Sequence, residues 1–322
     1  MPEPKKGLAK RRYEALTSTR QFFLDEARRS AELTIPALMP RATDIRHQSK
    51  TKHEELVKPY QSLGARGVNN LSSKLLLTLL PPTTPFFRYE IDPKAFEEIE
   101  NPQEEAQVRT QLQQKLSKRE KQILKEVEVS GFRSKGYSVM RNLLVTGNML
   151  AYLPPDGGAQ LFPLNSYCVK RDGEGNVVEL AYVEVLDRDS VPERISELLE
   201  DTEAGVGVGN QSAGTGELPG STEETRKTVE LYTLVVRHGD RFTFHQELAN
   251  GTEVPGTFGD IPVDESPWLV LRYTSIDGED YGRSFVEEYR GDLAAHETIS
   301  KALQFGAANA AKLVVLVAPN GT

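Results

Sequence analysis

Near Ala151 the hydrophobic pattern of the chain changes period. Before it, apolar residues recur every three or four positions over long stretches. After it come short runs punctuated by Gly, Pro, Asn and Asp. A helical period followed by short, turn-bounded strands places the chain in the α+β class.

The helical part divides at its prolines. Leu8 to about Leu33 reads as one helix, with Leu16, Phe22, Phe23, Ala27 and Ala31 at helical spacing and Pro36 ending it. Residues 37–50 read as loop, and Thr51 with Glu54 forms a capping-box pattern. Gly64 to Leu80 is a second helix, its stripe formed by Val68, Leu71, Leu75 and Leu79. Pro81 and Pro82 stop it, because proline lacks an amide proton and restricts the residue before it. Phe86 to Ile91 reads as a short strand. Pro102 to Ser130 is a very polar helix with a narrow face of Val108, Leu112, Leu116, Ile123 and Val127. A fourth helix covers Ser134 to Leu150, with Val139, Met140, Leu143, Leu144 and Leu150 inward. Gly147 in its stripe predicts close approach of another backbone.

The strands beyond Ala151 are Ala151–Leu153, Leu161–Pro163, Tyr167–Lys170 and Val177–Val185, the last two joined by the turn Asp172-Gly-Glu-Gly-Asn176. Pro192 to Leu199 is a short helix, and Gly205–Ser221 is Gly/Ser/Thr-rich and reads as a mobile loop. Val229–Arg237 and Arg241–Leu248 form a hairpin over His238-Gly-Asp240, and Trp268–Tyr273 is a further strand. Ser284 and Glu287 cap a long helix to about Ala311. Phe285, Tyr289, Leu293, Ile299 and Leu303 form its stripe, and small residues fill its second half. Lys312–Val317 reads as a strand. This last helix and strand lack evident partners, so the chain reads as truncated relative to a complete fold.

With 322 residues there is room for two or three domains. The net charge of −8 argues against a sequence-specific DNA binder, which is normally basic on its binding face. The charge is uneven: residues 1–60 carry 13 Lys/Arg and 8 Asp/Glu, whereas residues 185–260 carry 6 and 15. That polarity fits either surfaces facing different partners or plain solvation. The single Cys168 allows no disulfide within the chain and fits a reducing compartment. The basic N-terminus has no apolar core of a signal peptide. The longest apolar run, Leu75–Leu80, is far short of the ~20 residues that span a bilayer. A soluble, cytoplasmic protein without a membrane partner is therefore expected.

No string carries evident catalytic chemistry, and no cofactor or metal is expected. Gly205-Val-Gly-Val-Gly209 follows an acidic stretch instead of a strand and reads as linker, not as a dinucleotide loop. The five histidines (His47, His53, His238, His245, His296) lack metal-ligand spacing, and no second cysteine joins them. Asp172–Asn176 alternates oxygen ligands like a calcium loop but lacks the distant bidentate glutamate, so a hairpin turn is the better reading. Asp277-Gly-Glu-Asp280 reads as a turn before the capped helix.

Four strings, in order, resemble portal (head-to-tail connector) proteins of short-tailed, podovirus-type bacteriophages. They are GARGVNNLSSKLLLTLLPP (Gly64–Pro82), LLVTGNMLAYLP (Leu143–Pro154), PLNSYCVKRDGEGNVVEL (Pro163–Leu180) and SIDGEDYGRSFVEEYRGDL (Ser275–Leu293). With the segments between them, the resemblance covers nearly the whole chain. It implies a non-enzymatic subunit of a homo-oligomeric, usually dodecameric ring at one capsid vertex. Such a ring docks terminase and later the tail, meets capsid and scaffolding proteins, and passes double-stranded DNA non-specifically. The implied location is the virion, after assembly in the host bacterial cytoplasm. By the same resemblance, residues 1–150 are a mostly helical wing, residues 151–280 the β-rich wing and clip, and residues 281–322 a stem helix and following strand. Arg290, Lys301 and Lys312 are the candidates to face DNA in the channel; pairing with a neighbouring subunit's acidic residues is the alternative. An acidic protein with scattered basic residues fits weak, sliding contact, since each Lys/Arg–phosphate contact strengthens binding by releasing counterions. Two other readings are a capsid adaptor or scaffold-like protein that forms no ring, and an enzyme with a site between subunits.

Overall fold

A computed structural model describes residues 7–40, 56–82, 85–91, 102–155, 157–187, 191–192, 195–196, 198–199 and 228–312. The expected capping box at Thr51, the loop Gly205–Ser221 with its glycine run, the strand beyond Lys312, and His47 and His53 lie outside the described residues.

Helix α1 (Leu8–Glu32) buries Ala9, Tyr13, Leu16, Leu24, Ala27 and Ala31, a spacing of three and four that keeps one face inward. Phe22, read from sequence as part of that face, is 54% exposed. The position that belongs to the stripe instead is Arg20, which a hydrophobic pattern cannot flag. Helix α2 (Leu63–Leu79) is rotated from its sequence reading. It buries Gly64, Val68, Ser72 and Leu76, while Leu71 and Leu75 pack at the margin and Leu79 is 55% exposed. Small residues set this rotation: a Cβ at Gly64 would lie 2.4 Å from the Leu33 carbonyl oxygen.

Phe86–Ile91 is not a strand. The segment joins no ladder; its rings meet edge to face (Phe86–Phe87 5.2 Å, Phe87–Tyr89 5.9 Å) and the Tyr89 amide donates to Glu120 of α3 (Pro102–Val129). Aromatic and β-branched residues favour strands only where a partner is present. Helix α4 (Phe132–Thr146) stops four residues earlier than expected. Gly147 takes φ +75° as its C-terminal cap, and Leu150 faces inward from a strand instead.

Strands β1 (Asn148–Tyr152), β2 (Gln160–Phe162) and β8 (Trp268–Arg272) form a three-stranded sheet in the order β2-β1-β8. Strands β3 (Tyr167–Arg171), β4 (Val177–Asp187), β5 (Thr228–His238), β6 (Arg241–Leu248) and β7 (Gly259–Pro262) form an antiparallel meander in sequence order. Both anticipated hairpins are present. Strand β7 was not anticipated, being short and bounded by Gly and Pro. Ile195, Ser196, Leu198 and Leu199 are helical, within the short helix read at 192–199.

Alternation along the meander divides the core. Cys168, Ala181, Val183, Tyr232 and Leu234 face the first half of α1. Val169, Leu180, Tyr182, Val235 and Phe242 face the three-stranded sheet, α2 and α4, and join a cluster that reaches Val286. The helices before residue 151 and the strands after it therefore share one core. The outer edge of β3 is closed by side chains: the Val169 amide donates to the Tyr281 hydroxyl (3.0 Å) and the Arg171 amide to Asp280 (2.6 Å). Closing an edge this way removes a template for unwanted strand pairing.

The start of α1 has no cap of its own. Gly7 offers no side chain, and the buried Glu247 of β6 accepts the Lys10 amide at 2.7 Å instead. A carboxylate there satisfies an orphan donor and complements the helix dipole. His245 is also buried on β6, its Nε2 without a partner. Burial lowers its pKa, against the opposing pull of Glu247 and Glu253. The native imidazole is therefore harder to protonate than the unfolded one, whose ordinary pKa is 6.5. As pH falls through that value the unfolded state takes up this proton more readily than the native state, so stability falls as pH drops. Urea midpoints should decline from pH 7 to pH 5, and His245→Asn should flatten that decline; an unchanged slope in the variant would assign it to other groups.

Candidate functional site

The exposed feature that the fold builds most carefully is helix α5 (Phe285–Ala310) and its root. Ser284 caps it, its hydroxyl accepting the Glu287 amide at 3.0 Å, as the sequence pattern predicted. The Glu287 carboxylate does not return to close the box; it pairs with Arg283 at 3.1 Å. Arg283 also pairs with Glu279 and lies over the rings of Phe22 and Phe23, 5.1 and 5.2 Å from their centroids. That contact explains why Phe22 is placed at the surface. These carboxylates hold the guanidinium pKa well above its ordinary value.

Below this clamp two backbones cross. Asn148 donates to the Gly282 carbonyl (2.8 Å) and accepts the Gly282 amide (2.7 Å), and the Tyr273 amide donates to the Gly147 carbonyl (2.9 Å). Gly147 and Gly282 are both required here, because a Cβ on either would lie 2.7 Å from the other's carbonyl oxygen. The close approach predicted at Gly147 is therefore real, although the residue caps the helix instead of lying within it.

Among the described residues, α5 beyond the root is held along one side only. Arg290 pairs with Glu26 of α1. Farther out, Tyr60 binds four α5 residues: its amide donates to Glu297 (2.8 Å), its carbonyl accepts from Gln304 (3.2 Å), its ring lies 6.0 Å from Phe305, and Lys301 sits 5.5 Å over that ring. Every residue from Lys301 to Lys312 is exposed. Arg290 and Lys301 are eleven residues apart, about three turns, and share this held side, while Lys312 follows the end of the helix. The opposite side carries Asp292, Ala295, Ile299, Leu303, Gly306 and Ala310, all exposed; Ile299 is 60% and Leu303 68% accessible. Of the expected stripe, Phe285 and Leu293 do pack on the core, whereas Tyr289, Ile299 and Leu303 do not.

The other motifs are absorbed by structure. Asp172 accepts the Glu174 and Asn176 amides at 3.0 and 2.8 Å, which fixes the hairpin turn. Glu279 and Asp280 serve Arg283 and the β3 edge. Cys168 is buried and burial pushes its thiol pKa up. His296 is exposed and lies 3.3 Å from the Ser300 hydroxyl. Among the described residues no group of three or more His, Cys, Asp or Glu could hold a metal ion, and no helix is long and apolar enough to cross a membrane.

The sequence profile of a family described as bacteriophage head to tail connecting protein matches residues 6–321. The chain belongs to that family. Among its relatives are proteins named portal protein. The one from Escherichia phage T7 is 31% identical over 332 aligned residues, covering 100% of this chain and 57% of the relative. The portal proteins of Enterobacteria phages T3 and SP6 are 30% and 27% identical, covering 97% and 95% of this chain and 54% of each relative. The chain thus spans a little over half the length of these head to tail connecting relatives.

Proposed function

We propose that the chain acts as a portal subunit, a structural and non-enzymatic part of a ring at one capsid vertex through which DNA is packaged and ejected and which joins head to tail. The observation that carries this reading is the free side of α5, where apolar and small residues are exposed along several turns. Large exposed apolar surface on a soluble protein marks an interaction site, and a subunit of a closed ring needs heterologous faces of this kind. In this reading residues 1–150 and much of 151–280 form wing and clip, and the helix from residue 281 forms the stem. A homo-oligomer, with capsid and scaffolding proteins, tail proteins and terminase as further partners, follows from the same reading. Lys301 and Lys312 are the proposed channel-facing charges, while Arg290, tied to Glu26, is largely neutralised.

The test is particle mass by light scattering with negative-stain images of the same sample. A ring with an axial hole is expected, and Leu303→Asp, which removes no contact within the subunit core, should reduce it to monomer. A wild-type chain that is only monomeric, or a variant that assembles as well as wild type, would count against the α5 face as the ring contact.

A further inference from the structure

The middle of helix α3 concentrates positive charge, while the carboxylates Glu104, Glu105, Glu126 and Glu128 lie toward its two ends. Between Ala106 and Lys125 it carries six cations and one carboxylate, Glu120. That carboxylate is half-buried and turned toward the Tyr89 amide. The half-buried positions Leu112, Leu116, Glu120, Ile123 and Val127 mark the inward side. Lys115, Lys118, Arg119, Lys121 and Lys125 are exposed and spread over the outer side, an arc of about 160° at 100° per residue. Among the described residues, none of these five makes an ion pair or side-chain hydrogen bond. Arginines elsewhere do: Arg12 pairs with Glu179, Arg28 with Asp25, Arg241 with Asp260 and Arg290 with Glu26.

The spacing makes the imbalance costly. Lys115 and Arg119, and Lys121 and Lys125, are like-charge pairs at i and i+4, which oppose helix formation. One exposed carboxylate, Glu126, shares this side, just after the last cation of the run. The neutral exposed residues among these cations are Gln111, Gln114 and Gln122, which add amide donors. No aromatic residue lies among them, and the exposed aliphatics of this side, Val108 and Val129, lie beyond the two ends of the run Lys115–Lys125. Protein interfaces are built on apolar anchors and are depleted in lysine, so an acidic protein surface is the poorer match.

We propose that the outer face of α3 binds the phosphate backbone of duplex nucleic acid without reading sequence. Phosphate oxygens accept from Lys, Arg and Gln alike, and a strip of unpaired cations gains by releasing the counterions condensed on a duplex. The neighbouring like charges on α3 then share a polyanion instead of repelling one another. This surface is distinct from α5 and does not depend on ring formation.

The test uses a short fluorescein-labelled duplex and the full chain, with binding followed by anisotropy from about 50 to 200 mM salt. The variant combines Lys115→Gln, Lys118→Gln, Lys121→Gln and Lys125→Gln. Glutamine is nearly as good a helix former as lysine, so the variant should keep its helicity by circular dichroism. Wild type should bind with a log–log salt slope of about −4 to −5, and the variant's slope should be shallower by about 3 to 4, with at least about tenfold weaker binding at about 50 mM salt. Equal slopes would overturn the proposal. So would a variant whose particle mass changes while duplex binding does not, since the face would then serve a protein contact. Particle mass measured in parallel separates this outcome from failure of the ring reading: a chain that never forms rings but shows the slope change still supports the α3 face.

Discussion

Replacing Arg20 by alanine should destabilise the fold by about 3–5 kcal/mol, the scale of removing one partner from a buried charged contact. Arg20 lies in the apolar stripe of α1 and is 4% exposed. One of its terminal nitrogens donates to three carbonyls, those of Tyr167 (2.6 Å), Asn165 (2.9 Å) and Leu164 (3.1 Å), which gather where the chain enters β3. Tyr13 completes the set. Its hydroxyl accepts from Arg20 at 3.3 Å and donates to the Asn165 carbonyl at 3.2 Å, and burial pushes its pKa up to about 12, so it stays neutral in both roles. Alanine would leave those carbonyls buried without this donor and open a gap between α1 and the sheet. Arg29→Ala is the matched control on the same helix: its pair with Glu26 is exposed on the arginine side, and such pairs contribute only tenths of a kcal/mol. Urea unfolding of both variants decides the matter. Comparable losses would mean that the guanidinium is not what joins α1 to the β3 entry.

Arg20 also shows where the fold outran the sequence. Periodicity located α1, α2, α3, α4 and α5 to within a few residues, because each repeats apolar residues at helical spacing. It misassigned faces where the contact is made by residues with little hydrophobic weight. Gly64 and Ser72 set the rotation of α2, and Arg20 completes α1, yet none adds to an apolar count. Phe86–Ile91 failed for the opposite reason: its residues suit a strand, but a ladder requires a partner, which no local pattern encodes. The Ser284 cap was legible because its chemistry lies within four residues. The Tyr60 contacts with α5 were not, since 237 positions separate Tyr60 from Glu297. Arg290 and Lys301 could be placed on the helix and Lys312 just after it by counting, but not Arg290 against Glu26 or Lys301 against Tyr60. The α3 cations were visible in the sequence as part of a polar helix. Their significance lies in which of them the structure leaves unpaired.

The crossing beneath α5 supports the second large prediction. Gly147→Ala should cost about 2–4 kcal/mol, combining a left-handed backbone that L residues disfavour with overpacking that side-chain motion cannot relieve. The added Cβ would lie 2.6 Å from the Arg283 carbonyl carbon and 2.7 Å from the Gly282 oxygen, both backbone atoms. Gly131→Ala provides a close comparison. Gly131 stands at the other end of α4 with φ +67°, but nothing lies within 4 Å of its Cβ position, so it isolates the conformational cost alone. Gly282→Ala tests the crossing from its other strand, with 2.7 Å to the Gly147 oxygen and 2.8 Å to Arg272 Cβ. If the crossing aims α5, Gly147→Ala and Gly282→Ala should each lower the urea midpoint well beyond Gly131→Ala. They should also reduce particle mass under conditions where the subunit remains folded, because a root displaced by a few tenths of an ångström swings the far end of a 26-residue helix much farther. Equal losses for Gly131→Ala and Gly147→Ala would show that the backbone contact carries no weight. A loss of stability without a loss of mass would show that the crossing holds the core together but does not aim the helix.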